Sequence, residues 1–172
     1  MKVVIVGGVA GGASTAARLR RMDESAEIVM LERGPNISFA NCGLPYYIGE
    51  MIEDRDRLLV VTPEKLQAMM NIDSRVGHEV THINRAEKTV TVSDLSSGKD
   101  YVETYDKLVL SPGAAPLVPP LPGVDLPGVF TLRNLPDMDR IKSFVDEKKP
   151  ARAVVVGGGF IGLEIAENLH HR

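Results

Sequence analysis

The stretch Val3-Val4-Ile5-Val6-Gly7-Gly8-Val9-Ala10-Gly11-Gly12 decides the fold of this chain. Four apolar, β-branched residues that run directly into glycines are typical of a buried parallel strand ending in a tight turn. Residues 13–22 then have helical spacing, and residues 27–31 repeat the buried-strand pattern. The order of strand, glycine turn, helix and strand predicts a βαβ unit.

The glycines of this turn have the spacing of a dinucleotide-binding motif, G-x-G-x-x-G at the start of a helix. Gly7 and Gly12 match its first and third glycines, whereas Val9 occupies the middle position. Glu32 ends the second strand, at the distance along the chain where this motif places a ribose-binding acid. A glycine motif alone often marks only a tight turn. Here a strand, the turn, a helix and the acid follow one another in the expected order, and together they predict a dinucleotide-binding site.

A second copy of the strand and glycine turn lies near the other end of the chain. Residues 154–156 (Val-Val-Val) predict another buried strand. The complete motif follows it at Gly157, Gly159 and Gly162. Glu164, in the next helix, is a candidate contact for the nicotinamide of a dinucleotide, and an exposed helical glutamate is the alternative. Because the chain stops soon after this helix, we expect it to be the amino-terminal piece of a longer protein.

The residues between the two motifs predict further elements. Residues 62–70 predict a helix with Thr62 as its N-cap. Residues 76–105 alternate and are rich in β-branched residues, which indicates an antiparallel β-meander. Residues 107–110 return to the buried-strand pattern, and residues 137–147 predict a helix. The predicted α/β fold divides into a dinucleotide-binding domain at 1–113, a proline-rich crossing segment at 114–150 and the start of a second such domain at 151–172.

Composition excludes several classes of protein. The 172 residues carry a net charge of -3, which gives no general reason to expect binding to nucleic acid or to an anionic membrane. The apolar runs are too short for a signal peptide or for the ~20 residues that span a bilayer. One cysteine cannot form an internal disulfide and fits a reducing compartment. We expect a cytoplasmic protein without a metal site.

The single cysteine, Cys42, is the candidate reactive group. The sequence Asn41-Cys42-Gly43-Leu44-Pro45 predicts the start of a helix, with Pro45 in or near the first turn. The positive end of a helix favours thiolate, which attacks disulfides and peroxides. The redox partner of this thiol must come from outside the chain, such as a small thiol, a peroxide or a persulfide. A buried, inert cysteine is the alternative.

The pattern Ser38-x-x-x-Cys42-x-x-Pro45-Tyr46, together with the first glycine turn, resembles the single-cysteine pyridine nucleotide–disulfide oxidoreductases. Within them it is most similar to coenzyme A-disulfide reductases and NADH-dependent coenzyme A persulfide (polysulfide) reductases. The resemblance implies a Rossmann-like FAD-binding domain and the start of a Rossmann-like NAD(P)H-binding domain. It implies electron flow from NAD(P)H through FAD to Cys42, which forms a mixed disulfide with coenzyme A or a sulfur-oxidised form. In this family Val9 is an expected variant.

The resemblance also implies roles for individual residues, with Cys42 as the catalytic residue. The implied FAD contacts are Gly7, Gly8, Val9, Ala10, Gly11, Gly12, Glu32, Arg33, Asn41, Cys42, Val80, Ser111, Pro112 and Gly113. The implied NAD(P)H contacts are Gly157, Gly159, Phe160, Ile161, Gly162 and Glu164. The implied contacts to a coenzyme A disulfide, coenzyme A persulfide or other small thiol are Arg18, Arg21, Ser38 and Asn41. For the two arginines a solvated helix face is the alternative.

Two other functions stay open at this point. One is an NADH oxidase or peroxidase that uses a cysteine sulfenic acid, and the other is a non-catalytic dinucleotide-binding redox sensor. The resemblance implies a homodimer for the full-length protein. We expect the 172 residues alone to bind FAD weakly or not at all and to have no turnover. The sequence does not decide between NADH and NADPH.

Overall fold

A computed structural model describes residues 1–172 as seven strands and five helices. In chain order these are β1 (Lys2–Val6), α1 (Ala10–Met22), β2 (Glu27–Glu32), α2 (Leu44–Ile48), α3 (Pro63–Met70), β3 (Asp73–Val76), β4 (His78–Asn84), β5 (Thr89–Asp94), β6 (Lys99–Thr104), β7 (Lys107–Leu110), α4 (Leu135–Lys148) and α5 (Phe160–His170). None of the helices combines the length and the hydrophobicity that a membrane-spanning helix needs.

The contacts divide the chain into two units. The first unit comprises Met1–Phe39 and Leu59–Gly113, and the second comprises Ala40–Leu58 and Ala114–Arg172. All seven strands belong to the first unit, whereas the second unit contains α2, α4 and α5.

The first unit is built around a parallel sheet with the strand order β3-β2-β1-β7. Val4 of β1 lies opposite Val29 of β2 on one side and Leu108 of β7 on the other. These central strands are buried on both faces, as their continuous apolar runs predict. Strand β3 has no counterpart among the sequence predictions, because Asp73–Val76 has no apolar run and is held in the sheet by its pairing with β2.

Different layers cover the two faces of the parallel sheet. On one face Ile5, Ile28 and Met30 pack with Ala16 of α1 and Leu66 of α3. On the other face, the sheet packs against the meander in a second apolar cluster that contains Val4, Val29, Leu31, Val90 and Val92. The first unit therefore has three layers, with helices, parallel sheet and antiparallel sheet in that order. The predicted α/β fold is confirmed.

The antiparallel sheet has the order β4-β5-β6, as the alternating sequence predicts. One irregularity in the pairing of β4 with β5 lies between Val80 and His82. The helix predicted at 62–70 is also confirmed, and the Thr62 hydroxyl accepts a hydrogen bond from the N–H of Lys65 at 3.4 Å.

The second unit is a cluster of three helices in which α2 packs against α4 and α5. Its buried apolar residues are Leu44, Pro45, Ile48, Leu58, Leu135, Met138 and Ile141. The predicted helix at 137–147 is confirmed as α4, capped by the Asn134 side chain, which accepts a hydrogen bond from the N–H of Asp137 at 2.9 Å. Residues 112–120 have no regular secondary structure.

Two predictions of local structure need correction. Helix α1 begins at Ala10 and not at residue 13, so the third glycine of the motif, Gly12, lies inside the helix. The strand predicted at 154–156 is wrong, because Val154 and Val156 are 81% and 95% exposed and no strand lies beside them. An apolar run becomes a buried strand only when a neighbouring strand accepts its backbone hydrogen bonds.

Candidate functional site

The first glycine turn shows why two of its glycines are needed. Gly7 has a positive φ of +95°, and a Cβ atom on it would overlap the carbonyl group of Ser111. A Cβ atom on Gly12 would overlap the carbonyl oxygen of Gly7. The first and third glycines therefore allow β1, α1 and the residues after β7 to approach closely.

The start of α1 is free to receive an anion. The N-cap residue is Val9, whose side chain makes no capping hydrogen bond. The first intrahelical bond runs from the N–H of Ala13 to the carbonyl of Val9 at 3.3 Å, which leaves the preceding N–H groups of the helix without a partner in it. Because such N–H groups and the helix dipole attract phosphate, this turn fits the pyrophosphate of a dinucleotide.

Glu32 lies directly against the turn. One carboxylate oxygen accepts a hydrogen bond from the N–H of Gly8 and the other accepts one from the N–H of Gly34, both at 2.7 Å. A Cβ atom on Gly8 would come within 3.0 Å of the Glu32 Cβ and within 2.8 Å of Ile37, so Gly8 is required by packing. The predicted ribose-binding acid is thus held beside the predicted phosphate-binding turn.

The other residues proposed near this turn are spread over the first unit. The N–H of Ser111 donates to the carbonyl of Val6 at 2.7 Å, and the exposed Pro112 and Gly113 follow it. Arg33 forms an exposed ion pair with Glu79 of β4 at 3.3 Å. Val80 packs against the apolar cluster beneath the meander. Their contacts to a dinucleotide stay predictions.

Ser38 adopts an uncommon backbone conformation. Its φ is +43°, in the left-handed region that residues with side chains rarely occupy. Its N–H donates to the carbonyl of Gly8 at 3.0 Å, and its carbonyl accepts from the N–H of Val60 at 2.9 Å. These two bonds connect Ser38 to the glycine turn and to residue 60. Conformations of this kind are concentrated at binding and catalytic sites.

A cavity of about 330 Å³ lies beside Ser38, within the first unit. Its walls come from the first turns of α1, from residues 38–39 and 60–61, and from one face of α3. Most of the lining residues are apolar, and the polar ones are Ser14, Ser38 and Lys65. The cavity can therefore take an apolar group that also carries a few polar or charged atoms.

The two predicted phosphate-binding arginines are exposed on α1. Arg18 and Arg21 each follow a cavity-lining residue, Ser14 and Ala17, by one helical turn and therefore lie on the same side of the helix. Lys65 is not among the residues predicted from the sequence, and it is the cationic side chain that lines this cavity. The signal in the sequence is a lysine in the first turn of the predicted helix, where the helix dipole disfavours positive charge. In the structure Lys65 has no acidic partner among the ion pairs.

Cys42 belongs to the second unit, where it lies in a 3-10 turn at Asn41–Gly43 directly before α2. Its thiol is free and exposed. The N–H of Gly43 donates to the carbonyl of Ala40 at 2.9 Å, and a Cβ atom on Gly43 would overlap Leu58. The predicted helix start is confirmed, with Pro45 in its first turn. The thiol is thus presented to solvent on a tightly packed turn.

Asn41, the neighbour of this cysteine, has an unsatisfied polar atom. Its side-chain carbonyl oxygen is buried and accepts no hydrogen bond. Buried acceptors of this kind are uncommon, and a bound ligand is one way to supply the missing donor. Asn41 thus fits its predicted role beside a cofactor or substrate, which stays a prediction.

The second glycine turn repeats the geometry of the first. Gly157 has a φ of +113°, and a Cβ atom on Gly162 would overlap the carbonyl oxygen of Gly157. Gly159 is the N-cap of α5 and has open space around it. Phe160 and Ile161 are exposed and Glu164 is half-buried. The glycine spacing and the free helix start fit the predicted phosphate-binding turn.

Comparison with known proteins identifies the family of this chain. The profile of the pyridine nucleotide-disulphide oxidoreductase family matches residues 1–172, so the chain belongs to this family. A coenzyme A disulfide reductase of Staphylococcus epidermidis is 45% identical over 172 residues, which are 99% of this chain and 38% of that protein. The chain thus spans well under half the length of this curated relative.

Two solved structures are also similar. That of reduced Bacillus anthracis CoADR-RHD has a TM-score of 0.96 and 58% identity, with coverage of 99% of this chain and 31% of that one. That of a NAD-dependent persulfide reductase from A. fulgidus has a TM-score of 0.94 and 37% identity, with coverage of 99% and 32%.

Proposed function

We propose that this chain belongs to an FAD-dependent NAD(P)H:disulfide oxidoreductase that reduces coenzyme A disulfide or coenzyme A persulfide (polysulfide). The observation that carries the proposal is the exposed, free thiol of Cys42 on a tightly packed turn, in a member of a disulphide oxidoreductase family. The named activities of the similar coenzyme A disulfide and persulfide reductases support this choice of substrate.

Each of the two glycine turns binds one of the two cofactors. The free N–H groups at the start of α1 hold the pyrophosphate of FAD, and Glu32 accepts hydrogen bonds from its ribose. The turn at Gly157–Gly162 does the same for the pyrophosphate of NAD(P)H. When bound, the two cofactors supply a pair of electrons to the protein thiol. The predicted division into domains at residues 113 and 150 is part of this proposal.

Cys42 carries the sulfur chemistry. Its thiolate attacks one sulfur of the substrate disulfide, so that a bond forms to the Cys42 sulfur and the substrate S–S bond breaks. The departing thiolate takes a proton from solvent. Two electrons then cleave the mixed disulfide, which restores the Cys42 thiolate and releases the second thiol. Asn41 offers its unpartnered oxygen to a donor of the bound ligand.

The cavity in the first unit suits the non-reacting part of coenzyme A. Its apolar walls exclude water from an apolar group, and Ser38 supplies a hydroxyl. Arg18, Arg21 and Lys65 give this side of the unit three cations, which suits a thiol that carries several phosphates. The full-length protein acts as a cytoplasmic homodimer in this proposal.

The test is an anaerobic titration of the natural full-length protein with NADH, followed by absorbance and then by addition of coenzyme A disulfide, coenzyme A persulfide and peroxide in turn. We expect the flavin to be reduced by NADH and reoxidised by a coenzyme A substrate. The Cys42→Ser variant should still bind the flavin, and NADH should still reduce it. Reduction of the coenzyme A substrate by this variant should fall to the background rate.

Three other outcomes would contradict the proposal. Substrate reduction that survives in Cys42→Ser would show that the thiol mechanism is wrong. Reoxidation by peroxide or oxygen alone would identify an oxidase or peroxidase. A protein without flavin would favour a redox sensor in which Cys42 is modified but does not turn over.

A further inference from the structure

The end of helix α2 places two residues where the local backbone does not favour them. Gly49 follows the helix with a φ of -80° and a ψ of 3°, a conformation that most residues adopt readily in turns. Glu50 comes next with a φ of +64°, in the left-handed region where glycine is preferred after a helix. The glycine thus stands one residue before the position that favours it, and contacts outside α2 account for both residues.

Gly49 is explained by a close approach to α5. A Cβ atom on Gly49 would lie 2.5 Å from the side-chain oxygen of Asn168 and 2.6 Å from the Asn168 Cβ atom. Asn168 is 3% exposed, and its side-chain N–H donates to the carbonyl of Glu164, one turn earlier in α5, at 2.8 Å. Asparagine is a poor helix former and is seldom buried. Its place in α5 is therefore explained by the contact with Gly49 and not by its own helix.

The uncommon backbone conformation of Glu50 is held by charged partners. Its carboxylate accepts a hydrogen bond from Lys142 of α4 at 2.9 Å and pairs with Arg172 at 3.1 Å. Arg172 also donates to the carbonyl of Ile48, the last residue of α2, at 3.0 Å. Such backbone conformations persist only where surrounding contacts hold them. The end of α2 is thus fixed both to α4 and to the end of α5.

These contacts connect the thiol to the second glycine turn. Cys42 lies in the turn directly before α2, the second glycine turn leads into α5, and both belong to the second unit. We propose that the contact between Gly49 and Asn168 is a positioning contact, which sets the distance from the Cys42 thiol to the nucleotide held at the second glycine turn. The inference rests on the proposed function, because that reaction requires the thiol and the nucleotide to be aligned.

The distances give the expected size of the effect. Ordinary contact between heavy atoms begins at about 3.5 Å, so a methyl group on Gly49 requires α2 and α5 to separate by about 1 Å. A displacement of about 1 Å can slow a reaction by about 100-fold when the reacting groups have to meet in a defined geometry. Gly49→Ala should therefore impair a reaction in which residue 49 itself takes no part.

The experiment compares Gly49→Ala, Asn168→Gly and the double variant Gly49→Ala/Asn168→Gly in the natural full-length, flavin-containing protein. The double variant removes the side-chain atoms that the new methyl group would overlap. Glu167→Gly is the matched control, because Glu167 is exposed beside Asn168 on α5 and glycine disfavours the helix to a similar extent at both positions.

Two measurements are made on each variant. Crystal structures give the position of Cys42 relative to α5, which does not depend on activity. Stopped-flow absorbance separates reduction of the flavin by NADH from its reoxidation by coenzyme A disulfide, which requires the thiol.

In Gly49→Ala we expect Cys42 to shift by about 1 Å relative to α5 and reoxidation to slow about 10- to 100-fold, with reduction by NADH changed less than about 2-fold. Asn168→Gly should slow reoxidation about 2- to 5-fold, and the double variant should return to within about 3-fold of Asn168→Gly, because its two changes compensate each other. Glu167→Gly should match the wild type.

Two results would overturn the inference alone. One is an unchanged Cys42 position and reoxidation rate in Gly49→Ala, and the other is an equal loss in both half-reactions, which would indicate general destabilisation. If Gly49→Ala does not fold, Asn168→Gly takes its place, and a reoxidation rate equal to that of Glu167→Gly overturns the inference. A wild type that does not reduce coenzyme A disulfide would instead overturn the proposed function.

Discussion

Single glycines decide whether the two glycine turns can form. In both turns the third glycine of the motif packs against the carbonyl oxygen of the first, at Gly12 with Gly7 and at Gly162 with Gly157. No side chain fits between these atoms in either turn. In the first turn, the buried strand β1 and the start of α1 also leave little room for adjustment.

Gly12→Ala should disrupt the first turn. The added methyl group overlaps the carbonyl oxygen of Gly7, so we expect a loss of about 2 to 4 kcal/mol in stability and a loss of FAD. Thermal unfolding and the flavin content of the purified full-length protein provide the measurements.

Gly11→Ala is the matched control one residue away. A Cβ atom there would lie 3.2 Å from the Ser111 hydroxyl oxygen, which can move aside. Since alanine favours a helix over glycine by up to about 1 kcal/mol, this variant should be neutral or stabilised. Equal losses in Gly11→Ala and Gly12→Ala would contradict the steric explanation.

The arrangement of these glycines and Glu32 could be predicted from the sequence, because their spacing follows directly from the backbone geometry of a strand–turn–helix unit. It did not predict the cavity, because Val9, Ser38 and Lys65 are distant along the chain and meet only when α1 and α3 pack on the same face of the sheet. The orphaned oxygen of Asn41 is likewise visible only after packing.

At the scale of elements, one arginine joins the ends of two helices. The Arg20 guanidinium donates to the carbonyls of Met70 and Asn71 at 2.7 and 2.8 Å, which are at the end of α3. It also donates to the carbonyls of Asp23 and Glu24, just after α1. Carbonyls at helix ends have no partner within the helix, so Arg20 satisfies both ends together.

Arg20→Ala should lower the stability of the first unit by about 2 kcal/mol, because four hydrogen bonds to a charged donor are lost and helix-end carbonyls are left without this partner. Arg21→Ala is the control, since Arg21 is exposed on the same helix and makes no such bond. Thermal unfolding measures both, and equal shifts would refute the role of Arg20.

The elements that the sequence predicted are those whose pattern is local. The alternating meander and the capped helix α3 have their signals within a few residues. The missed strand β3 and the wrong strand at 154–156 both depend on neighbours, since β3 is polar but paired and Val154–Val156 is apolar but unpaired. Pairing between strands is a property of the tertiary structure that single-sequence periodicity does not contain.

At the scale of the whole molecule, charges connect the layers of the first unit. Glu103 of β6 accepts from Lys2 of β1 at 2.5 Å and from Arg75 of β3 at 2.8 Å. The three side chains link the antiparallel sheet to the parallel sheet at positions that are largely shielded from solvent. Burial opposes the ionisation of Glu103, but the hydrogen bonds from Lys2 and Arg75 outweigh it, so its pKa is lowered.

This lowered pKa predicts a pH-dependent contribution to stability. The Glu103 carboxylate stabilises the folded protein above its ordinary pKa of 4.5, and the contribution is lost as the pH falls through the lower folded value. Glu103→Gln should therefore cost about 2 kcal/mol at pH 7, and the difference from the wild type should shrink below pH 4.5.

The control for this prediction is Glu53→Gln. Glu53 is exposed, and this substitution removes the same charge as Glu103→Gln. Unfolding by urea at a series of pH values compares the three proteins. A cost of Glu103→Gln that stays constant from pH 7 to pH 3 would show that packing, and not ionisation, explains the effect of Glu103.

The two hydrogen bonds of Glu32 have a consequence for the thermodynamics of ligand binding. Both carboxylate oxygens are already fixed by backbone N–H groups in the folded chain, and each keeps a free lone pair. Ordering a glutamate side chain costs about 1.5 to 2 kcal/mol of rotamer entropy, and here that cost is met during folding. A nucleotide that uses this acid meets a preorganised acceptor, so its association should carry a smaller entropic penalty.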